Sequence, residues 1–339
     1  MNSRPALPPP LRRFGQNFLA DPHLAQLLVD RFAPQAHDRI VEIGPGRGAL
    51  TEPLALRAGH LVALEIDERQ VSALRATFSN NARVEVRQAD ALQIDFAALS
   101  RELGGPLRVI GNLPYNVGTA IVRRLVAVPQ VSDMQFVLQK EVVDRLLATP
   151  ATKAYGALSV IVAWMMDLER VMTLAPGAFH PRPKVTSAAV RLVRRSPASV
   201  PPDRLDLLEK WVHRGFAHRR KMLATNLPEQ RRRVLELLQA EGVPADVRAE
   251  AIPPRSRALR TTFTSTGTPR TVSNSSPNST KRRPCRRRRT MLMCSRTESC
   301  SRVMVWWAVS LARARISSQA WRSSSACTSG QRGCRACSM

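Results

Sequence analysis

The sequence predicts an α/β fold, in which a mostly parallel β-sheet precedes a small helical domain. Short apolar runs alternate with helix-like segments over residues 40–147, as in parallel strands joined by crossover helices. Glycines, acids or amides follow four of these runs, and such strand ends form the ligand-binding edge of open α/β sheets. We expect the sheet domain to span residues 1–195 and the helical domain residues 196–254.

The elements can be assigned in chain order from apolar patterning and turn residues. Strands are predicted at 39–43, 61–66, 84–87, 107–110, 168–174 and 185–193. Helices are predicted at 156–166, 204–225 and 229–240. The last two strands are expected to form an antiparallel hairpin. Pro and Ser residues at 196–202 indicate a linker, and Asp203 is the expected N-cap of the helix after it.

A glycine-rich loop, Gly-Pro-Gly-Arg-Gly-Ala-Leu at 44–50, follows the first predicted strand. Glycines let the backbone approach a ligand closely, and a helix beginning here offers free N–H groups. The next strand brings Glu65 to a position about 20 residues further on, where a ribose hydroxyl pair would be bound. The loop also matches the G-x-G-x-x-A form of the dinucleotide fingerprint, so a nicotinamide site remains an alternative.

Three polar side chains favour S-adenosylmethionine over a nicotinamide cofactor. Glu42 lies inside the first strand, two residues before the glycine loop, and Asp90 follows the third strand, where it would meet an adenine edge. Asn112 ends the fourth strand at the same edge of the sheet. Each has a plain alternative as a loop cap or turn residue, but successive strand ends bring all of them to one crevice.

The most informative segment is Gly-Asn-Leu-Pro-Tyr at 111–115. It places an amide acceptor, a rigid carbonyl turn and an aromatic ring around one small planar site. Such a site suits a base whose exocyclic amine is held while its ring is stacked, which indicates chemistry at adenine N6. An ordinary strand-to-helix turn, with Pro114 fixing φ, is the alternative.

The charge of the chain indicates a polyanionic partner. The formal net charge is +26, and residues 1–264 remain basic without the last part of the chain. Clusters of Arg and Lys predict salt-sensitive phosphate contacts, with a solvated helix face as the alternative for any one cluster. These clusters are Arg123-Arg124, Arg191 with Arg194-Arg195, Arg214 with Arg219-Arg220-Lys221, and Arg231-Arg232-Arg233. Aromatic residues make up 5% of the chain, too few for an open platform of stacked bases.

Several motifs together resemble the bacterial small-subunit (16S) ribosomal RNA adenine N6-dimethyltransferase family, the kasugamycin-sensitivity methyltransferases. They are RFGQNFL at 13–19, VEIGPG at 41–46, LEID at 64–67, GNLPYN at 111–116, LQKEV at 138–142, KAYG at 153–156, FHPRPKV at 179–185 and FAHRRK at 216–221. The resemblance implies a Rossmann-like methyltransferase sheet with a helical RNA-binding C-terminal domain. It also implies dimethylation of two adjacent adenines near the 3′ end of 16S rRNA.

The resemblance assigns a role to each of nine residues. The cofactor S-adenosylmethionine would be bound by Asn17, Leu19, Gly44, Glu65, Asp90 and Asn112. The target adenine would be held by Asn112 and Leu113 and stacked between Tyr115 and Phe179, as expected of enzymes that act on an extruded base. Phe179 has core packing as its alternative. The sulfonium methyl is already activated, so no metal is expected.

The rival functions come from other classes. The sequence contains no recognisable acid/base pair for hydride transfer, which argues against a nicotinamide oxidoreductase. Every predicted catalytic position is intact, which argues against an assembly factor that has lost the reaction. Resistance dimethyltransferases of large-subunit rRNA are the nearest chemical rival, and the segments at 138–141 and 219–221 argue against them. DNA adenine and release-factor glutamine methyltransferases more often carry Pro in place of Leu113. We expect a cytoplasmic monomer that acts on the small ribosomal subunit, without a signal peptide, membrane contact or protein partner.

Residues 255–339 do not continue the pattern of the preceding chain. Residues 265–339 hold 15 Lys and Arg residues against one acid, and all six cysteines lie there: Cys285, Cys294, Cys300, Cys327, Cys334 and Cys337. The resemblance implies one more helix after residue 254, which would close the C-terminal domain. Periodicity is lost there, which would leave that domain truncated. A shifted reading frame explains these features. A disordered basic tail that binds RNA and a cysteine-based module are the alternatives.

Overall fold

The structure is a computed structural model that describes residues 9, 11, 15–195, 205–240 and 242–254. It divides into two compact units, Met1–Ala217 and His218–Met339. This division differs from the boundary expected between residues 195 and 196. The linker at 196–202, the expected cap Asp203 and the segment from 255 onward lie outside the described residues.

The first unit is built on a strand-and-helix alternation. Its strands are β1 Phe18–Leu19, β2 Arg39–Ile43, β3 His60–Glu65, β4 Val84–Gln88, β5 Leu107–Asn112, β6 Val131–Gln139, β7 Met166–Leu174, β8 Phe179–His180 and β9 Ser187–Arg194. Its helices are α1 Pro22–Phe32, α2 Thr51–Ala55, α3 Glu68–Thr77, α4 Phe96–Glu102, α5 Gly118–Val126, α6 Lys140–Leu146, α7 Ala157–Met165 and α8 Leu205–Gly215. The six strands predicted from the sequence are present, each within two residues of its expected ends.

Seven of these strands form one sheet in the order β4-β3-β2-β5-β6-β9-β7. The pairs from β4 to β6 are parallel, whereas β9 runs antiparallel to both β6 and β7. This arrangement confirms the predicted α/β class and the antiparallel final hairpin. Because β2, β3, β4 and β5 are parallel neighbours, their carboxyl ends meet at one edge, which is where the polar residues of the sequence were expected to converge.

Helix α1 packs on this sheet and follows β1. Asp21 caps it by accepting hydrogen bonds from the His23 and Leu24 N–H groups. Its apolar side chains, Leu28 and Phe32 among them, join a buried cluster with residues of β2, β3 and β5. Strand β1 pairs antiparallel with β8, so that Leu19 lies opposite Phe179. The N-terminal segment is therefore tied to the loop that precedes β9.

The helix predicted at 204–225 ends earlier than expected. Helix α8 stops at Gly215, the chain turns through 216–221, and α9 forms only at Leu223–Asn226. Met222 is extended, with ψ of 149°, so no continuous helix crosses this segment. Glycine has low helix propensity, which favours the break. Helix α8 belongs to the first unit. Its Trp211 is buried, and just after the helix the Phe216 ring packs edge-to-face on the Tyr155 ring, with 6.0 Å between the ring centres.

The second unit, as far as it is described, contains α9 and α10 Arg231–Ala240. A 3-10 turn at Pro228–Gln230 precedes α10, so the helix predicted at 229–240 begins two residues later than expected. Val234, Leu237 and Leu238 are its buried residues. No helix among the described residues is long and apolar enough to cross a membrane.

Candidate active site

A crevice lies at the carboxyl ends of β2, β3, β4 and β5, and the N-terminal segment borders it. Its lining combines backbone of the glycine loop with polar and apolar side chains from these strand ends. The residues are Gly15–Phe18, Ile43, Gly44, Gly46, Leu64–Ile66, Ala89–Leu92, Asn112–Val117 and Ile121. Of the nine residues predicted for the site, Asn17, Gly44, Glu65, Asp90, Asn112, Leu113 and Tyr115 lie in this lining.

The glycine loop is held against the N-terminal segment. Gly46 has a φ of +54°, and a Cβ atom there would come within 2.6 Å of Cδ1 of the Phe18 ring. Only glycine adopts this backbone without strain while letting the ring approach so closely. The guanidinium of Arg47 lies over the same ring, 4.8 Å from its centre. Phe18 and the loop thus fix each other at the mouth of the crevice.

Glu65 ties the end of β3 to the glycine loop. Its carboxylate accepts hydrogen bonds from the N–H groups of Gly46 at 3.0 Å and of Ile66 and Asp67 at 2.9 Å. Burial raises the pKa of Glu65, and these N–H groups oppose the rise. A carboxylate has about four lone-pair positions. Three are used within the protein, which leaves one for a ligand hydroxyl.

Asp90 is oriented by its own turn after β4. Oδ1 accepts from the Leu92 N–H at 2.9 Å, and Oδ2 accepts from Gln93 Nε2 at 3.0 Å. The crevice also has apolar walls here, formed by Ile66, Ala91 and Leu92. A polar edge beside apolar walls suits a flat heteroaromatic ring with hydrogen-bonding groups on its rim.

Asn112 has a defined amide orientation. Its Nδ2 donates to the backbone carbonyl oxygen of Asn17 at 2.8 Å. Since a carbonyl oxygen only accepts, the amide atom that faces it must be the nitrogen. The amide Oδ1 is therefore the atom left for the crevice. β5 reaches this position closely packed on β2, because a Cβ at Gly111 would lie 2.3 Å from the Ile43 carbonyl oxygen.

Tyr115 is half-buried in the crevice lining, and its hydroxyl is anchored. The Tyr115 Oη lies 2.6 Å from Ser187 Oγ, and Ser187 is fully buried at the start of β9. Burial raises the pKa of Tyr115, so the ring is neutral at physiological pH. A neutral ring fixed at its hydroxyl presents a stable aromatic face to the crevice.

Leu19 and Phe179 do not lie in the crevice. Phe179 is 4% exposed and Leu19 is 6% exposed, and both belong to the apolar cluster beneath α1. The antiparallel pairing of β1 with β8 turns these two side chains into that cluster. For Phe179 this is the core packing that the sequence left open as an alternative to stacking on a base. The Leu19 side chain likewise lies outside the crevice lining, and its contact with the cofactor stays a prediction.

Some residues at the site were not singled out from the sequence. Gln16 Nε2 donates to Asp67 Oδ2 at 3.1 Å, which joins the N-terminal segment to the residue two positions after Glu65. Both lie within motifs that carry the family resemblance, so the motifs held a signal for them. Ser187 had no such signal, because its approach to Tyr115 depends on how β9 pairs with β6.

Most of the predicted basic clusters are engaged within the protein. Arg191 pairs with Asp133 at 2.9 Å, and Arg194 donates to carbonyl groups after α5, including that of Val128 at 2.7 Å. Arg123 pairs with Glu209 at 2.6 Å. These arginines do not offer the free phosphate contacts that the clusters predicted.

The exposed charges of the second unit are different. Arg219 pairs with Glu250, and Arg232 and Arg233 pair with Glu236. Arg220, Lys221 and Arg231 are exposed and have no ion-pair partner among the described residues. Within the same residues, no group of three or more His, Cys, Asp and Glu side chains is placed to hold a metal ion.

Comparison with known proteins agrees with this geometry. A family model described as ribosomal RNA adenine dimethylase matches residues 11–260. A ribosomal RNA small subunit methyltransferase A of Acidithiobacillus ferrooxidans is 45% identical over 222 residues, which cover 65% of this chain and 82% of the relative. The protein of the same name from Thiobacillus denitrificans is 43% identical over 244 residues, or 72% of this chain and 93% of the relative.

Two solved structures are also similar. The 23S rRNA methyltransferase ErmE superposes with a TM-score of 0.57 at 28% identity, covering 70% of this chain and 95% of its own. A dimethyladenosine transferase from Plasmodium falciparum has a TM-score of 0.59 at 20% identity, covering 70% of this chain and 93% of its own. The second likeness concerns the fold, which is the Rossmann-like methyltransferase fold expected from the sequence.

Proposed function

The chain belongs to the ribosomal RNA adenine dimethylase family, and from that premise we propose that it dimethylates N6 of two adjacent adenines near the 3′ end of 16S rRNA, with S-adenosylmethionine as methyl donor. The observation that carries the proposal is the position of Asn112. It ends β5 in the same crevice as Glu65 and Asp90, and because its amide nitrogen donates to the Asn17 carbonyl, its amide oxygen is left for a ligand. Membership of this family argues against the alternative hypothesis of a nicotinamide-dependent oxidoreductase.

The residues around the crevice fit the methyl donor. The glycine loop brings backbone without side chains to the site of the methionine part, at Gly44. The remaining lone pair of Glu65 suits a ribose hydroxyl, and Asp90 beside Ile66 and Leu92 suits the adenine ring. When bound, S-adenosylmethionine supplies an activated sulfonium methyl group. Asn17 contributes through its backbone carbonyl, which orients Asn112.

The chain acts on the target amine by positioning and electrostatics. The lone pair of adenine N6 is delocalised into the ring and must become available for attack. Asn112 Oδ1 and the Leu113 carbonyl accept the two N6 hydrogens and favour a pyramidal nitrogen as positive charge develops there. The anchored ring of Tyr115 stacks on the extruded base. With Phe179 in the core, Tyr115 supplies the stacking from the crevice side.

The small ribosomal subunit is the proposed substrate particle. The two relatives described above as small subunit methyltransferase A are 45% and 43% identical to this chain, whereas the 23S rRNA methyltransferase ErmE is 28% identical. Arg220, Lys221 and Arg231, which are exposed and free of ion-pair partners among the described residues, are the proposed phosphate contacts.

A direct assay tests the function. Purified protein is incubated with methyl-labelled S-adenosylmethionine and either unmodified small subunits or large subunits, and the label is mapped by nucleotide. We expect N6,N6-dimethyladenine at two adjacent positions near the 3′ end of 16S rRNA. Label in 23S rRNA alone would contradict the proposal and favour the large-subunit alternative.

A further inference from the structure

A second, much smaller cavity lies behind Asn112. Its volume is about 20 Å³, and a bound water molecule requires roughly 10–15 Å³. Phe18, Gly44 and Asn112 border both this cavity and the crevice, so the two spaces share a wall. Glu42 lines only the smaller cavity. Asn112, the residue proposed to hold the target amine, is therefore part of the wall between the cavity and the crevice.

Glu42 brings an unsatisfied polar atom to this cavity. The side chain lies in β2 and is 1% exposed. The Thr51 hydroxyl lies close enough to lower the pKa of the Glu42 carboxyl, but neither Thr51 Oγ1 nor Glu42 Oε2 has a hydrogen bond of ordinary geometry among the described residues. Buried polar atoms in folded proteins nearly always have a partner, which is a water molecule where no protein group is in reach. The Glu42 carboxyl therefore calls for a small polar occupant in the space that it lines.

Asn112 offers the complementary group on the shared wall. Its amide nitrogen carries two hydrogens. One is donated to the Asn17 carbonyl oxygen, and within the described residues the other has no protein acceptor. A water molecule in the cavity satisfies both sides, because it accepts from the amide N–H and hydrogen-bonds the carboxyl group. Two to four polar partners are what a buried water usually has.

We propose that the cavity binds one water molecule that links the Glu42 carboxyl group to the Asn112 amide, and that Glu42 acts through it as a positioning residue for the target amine. The inference rests on the proposed function of Asn112. The Asn17 carbonyl and the water then hold the two hydrogens of one amide nitrogen, so that the amide cannot rotate and Oδ1 stays directed at adenine N6.

Two variants of Glu42 separate positioning from packing. Glu42→Gln keeps the shape and the hydrogen bond to water, whereas Glu42→Leu keeps similar bulk and removes the hydrogen bond. Gln70→Leu is the matched control, since Gln70 is fully buried, has unpartnered side-chain atoms among the described residues, and lines neither cavity. Turnover on small subunits, the KM for subunits and the Kd for S-adenosylmethionine are measured for each.

We expect Glu42→Leu to lower kcat about tenfold, the effect of one lost hydrogen bond, with KM and cofactor Kd within twofold of wild type. Glu42→Gln should stay within threefold of wild-type kcat, and Gln70→Leu should leave kcat unchanged. Unchanged kcat in Glu42→Leu overturns the proposal. Weaker cofactor binding in Glu42→Leu also overturns it, because the carboxyl would then serve the ammonium group of the methionine part.

A crystal structure of the wild-type protein gives a readout that does not depend on activity or on the folding of Glu42→Leu. Density for one water within hydrogen-bond distance of both Glu42 Oε2 and Asn112 Nδ2 is the expected result, and an empty cavity overturns the proposal. If the water is present but the wild-type protein does not methylate small subunits, the result contradicts the proposed function. It does not contradict the water link between Glu42 and Asn112.

Discussion

Asn112 concentrates the proposed chemistry in a single amide. Its nitrogen is held by a backbone carbonyl 95 residues away in the chain, which leaves its oxygen for a ligand. Glu65 and Asp90 lie at neighbouring strand ends. Glu65 accepts hydrogen bonds from the turn that follows it and from Gly46 of the glycine loop, and Asp90 accepts from the turn that follows it. In the proposed mechanism, Glu65 and Asp90 hold the methyl donor, whereas Asn112, with Leu113 and Tyr115, holds the acceptor adenine.

Replacing Asn112 should separate these two tasks. We expect Asn112→Ala to reduce methyl transfer by about 10²–10³-fold, because it removes an acceptor aimed at charge that develops in the transition state. Calorimetry should find the affinity for S-adenosylmethionine little changed, since Glu65 and Asp90 keep their contacts. Near-normal turnover in this variant would remove Asn112 from the proposed role.

Glu42 should make the stability of the fold depend on pH. Burial raises the pKa of Glu42 from 4.5 to about 8, with the Thr51 hydroxyl opposing the shift and the Glu65 carboxyl adding to it. The folded chain therefore keeps a proton that the unfolded chain releases above about pH 4.5. The Glu42 contribution to stability is greatest below that pH and is lost as the pH rises towards 8.

Glu42→Gln tests this dependence, because glutamine does not titrate. The free energy of unfolding of the variant minus that of wild type should rise between pH 5 and pH 8, by up to about 1.4 kcal/mol per pH unit, and level off above pH 8. Chemical denaturation of both proteins across pH 5–9 measures it. A constant difference across that range would show that Glu42 ionises normally in the folded chain.

At the scale of elements, β1 and the glycine loop pack against each other. Phe18 packs where Gly46 has no Cβ, Leu19 pairs with Phe179 on β8, and the Asn17 carbonyl holds Asn112. Gln16 adds a hydrogen bond to Asp67 after β3. One short segment therefore contacts the glycine loop, the end of β5 and the segment between β7 and β9.

A single methyl group at Gly46 should disturb the packing of β1 on the glycine loop. Gly46→Ala places a Cβ 2.6 Å from the Phe18 ring at a φ of +54°, and the backbone strain alone costs about 1–2 kcal/mol. We expect at least tenfold weaker binding of S-adenosylmethionine by calorimetry. Gly177→Ala is the control, because nothing lies within 4 Å of its added Cβ and it should bind normally. Equal affinities in the two variants would contradict the close packing of β1 on the loop.

At the scale of the whole molecule, several basic side chains among the described residues are already engaged within the protein and add little free charge for RNA. Arg191, Arg194 and Arg123 serve the first unit internally. Arg220, Lys221 and Arg231 are three exposed cations of the second unit that have no ion-pair partner among the described residues. Binding to rRNA should therefore depend on a few specific residues and not on the total charge.

Two double variants with the same change in net charge test this dependence. Neutralising Arg220 and Lys221 to Gln should weaken RNA binding and reduce the log–log salt slope by about 1.5, nearly one per phosphate contact. Neutralising Arg232 and Arg233, which pair with Glu236, should change the slope less. Cofactor affinity should stay constant in both. Equal salt slopes in the two double variants would show that Arg220 and Lys221 are solvent-exposed charges that make no phosphate contacts.

The segment from residue 255, outside the described residues, carries its own prediction from the sequence. If a shifted frame produced it, resequencing of the gene across codons 245–265 should reveal the shift. The native protein should then differ in intact mass from the 37.6 kDa of the printed chain. A mass that matches all 339 residues would restore the basic RNA-binding segment.

The sequence by itself determined the α/β class, the strand positions and the residues at the strand ends. Gly44, Glu65, Asp90 and Asn112 were predictable because each directly follows or ends its own apolar run, and parallel strands must bring such ends to one edge. These are local signals combined with a general rule of sheet geometry. They require no knowledge of which side chain meets which.

Only the tertiary structure decided the partners of these residues. The amide orientation of Asn112 depends on Asn17, and the anchoring of Tyr115 on Ser187, which are 95 and 72 residues away along the chain. The register of β1 on β8 buried Phe179, where the sequence had allowed a place at the substrate. Side-chain partners across such distances are set by strand register and packing, because a shift of one residue turns each side chain to the other face of its strand.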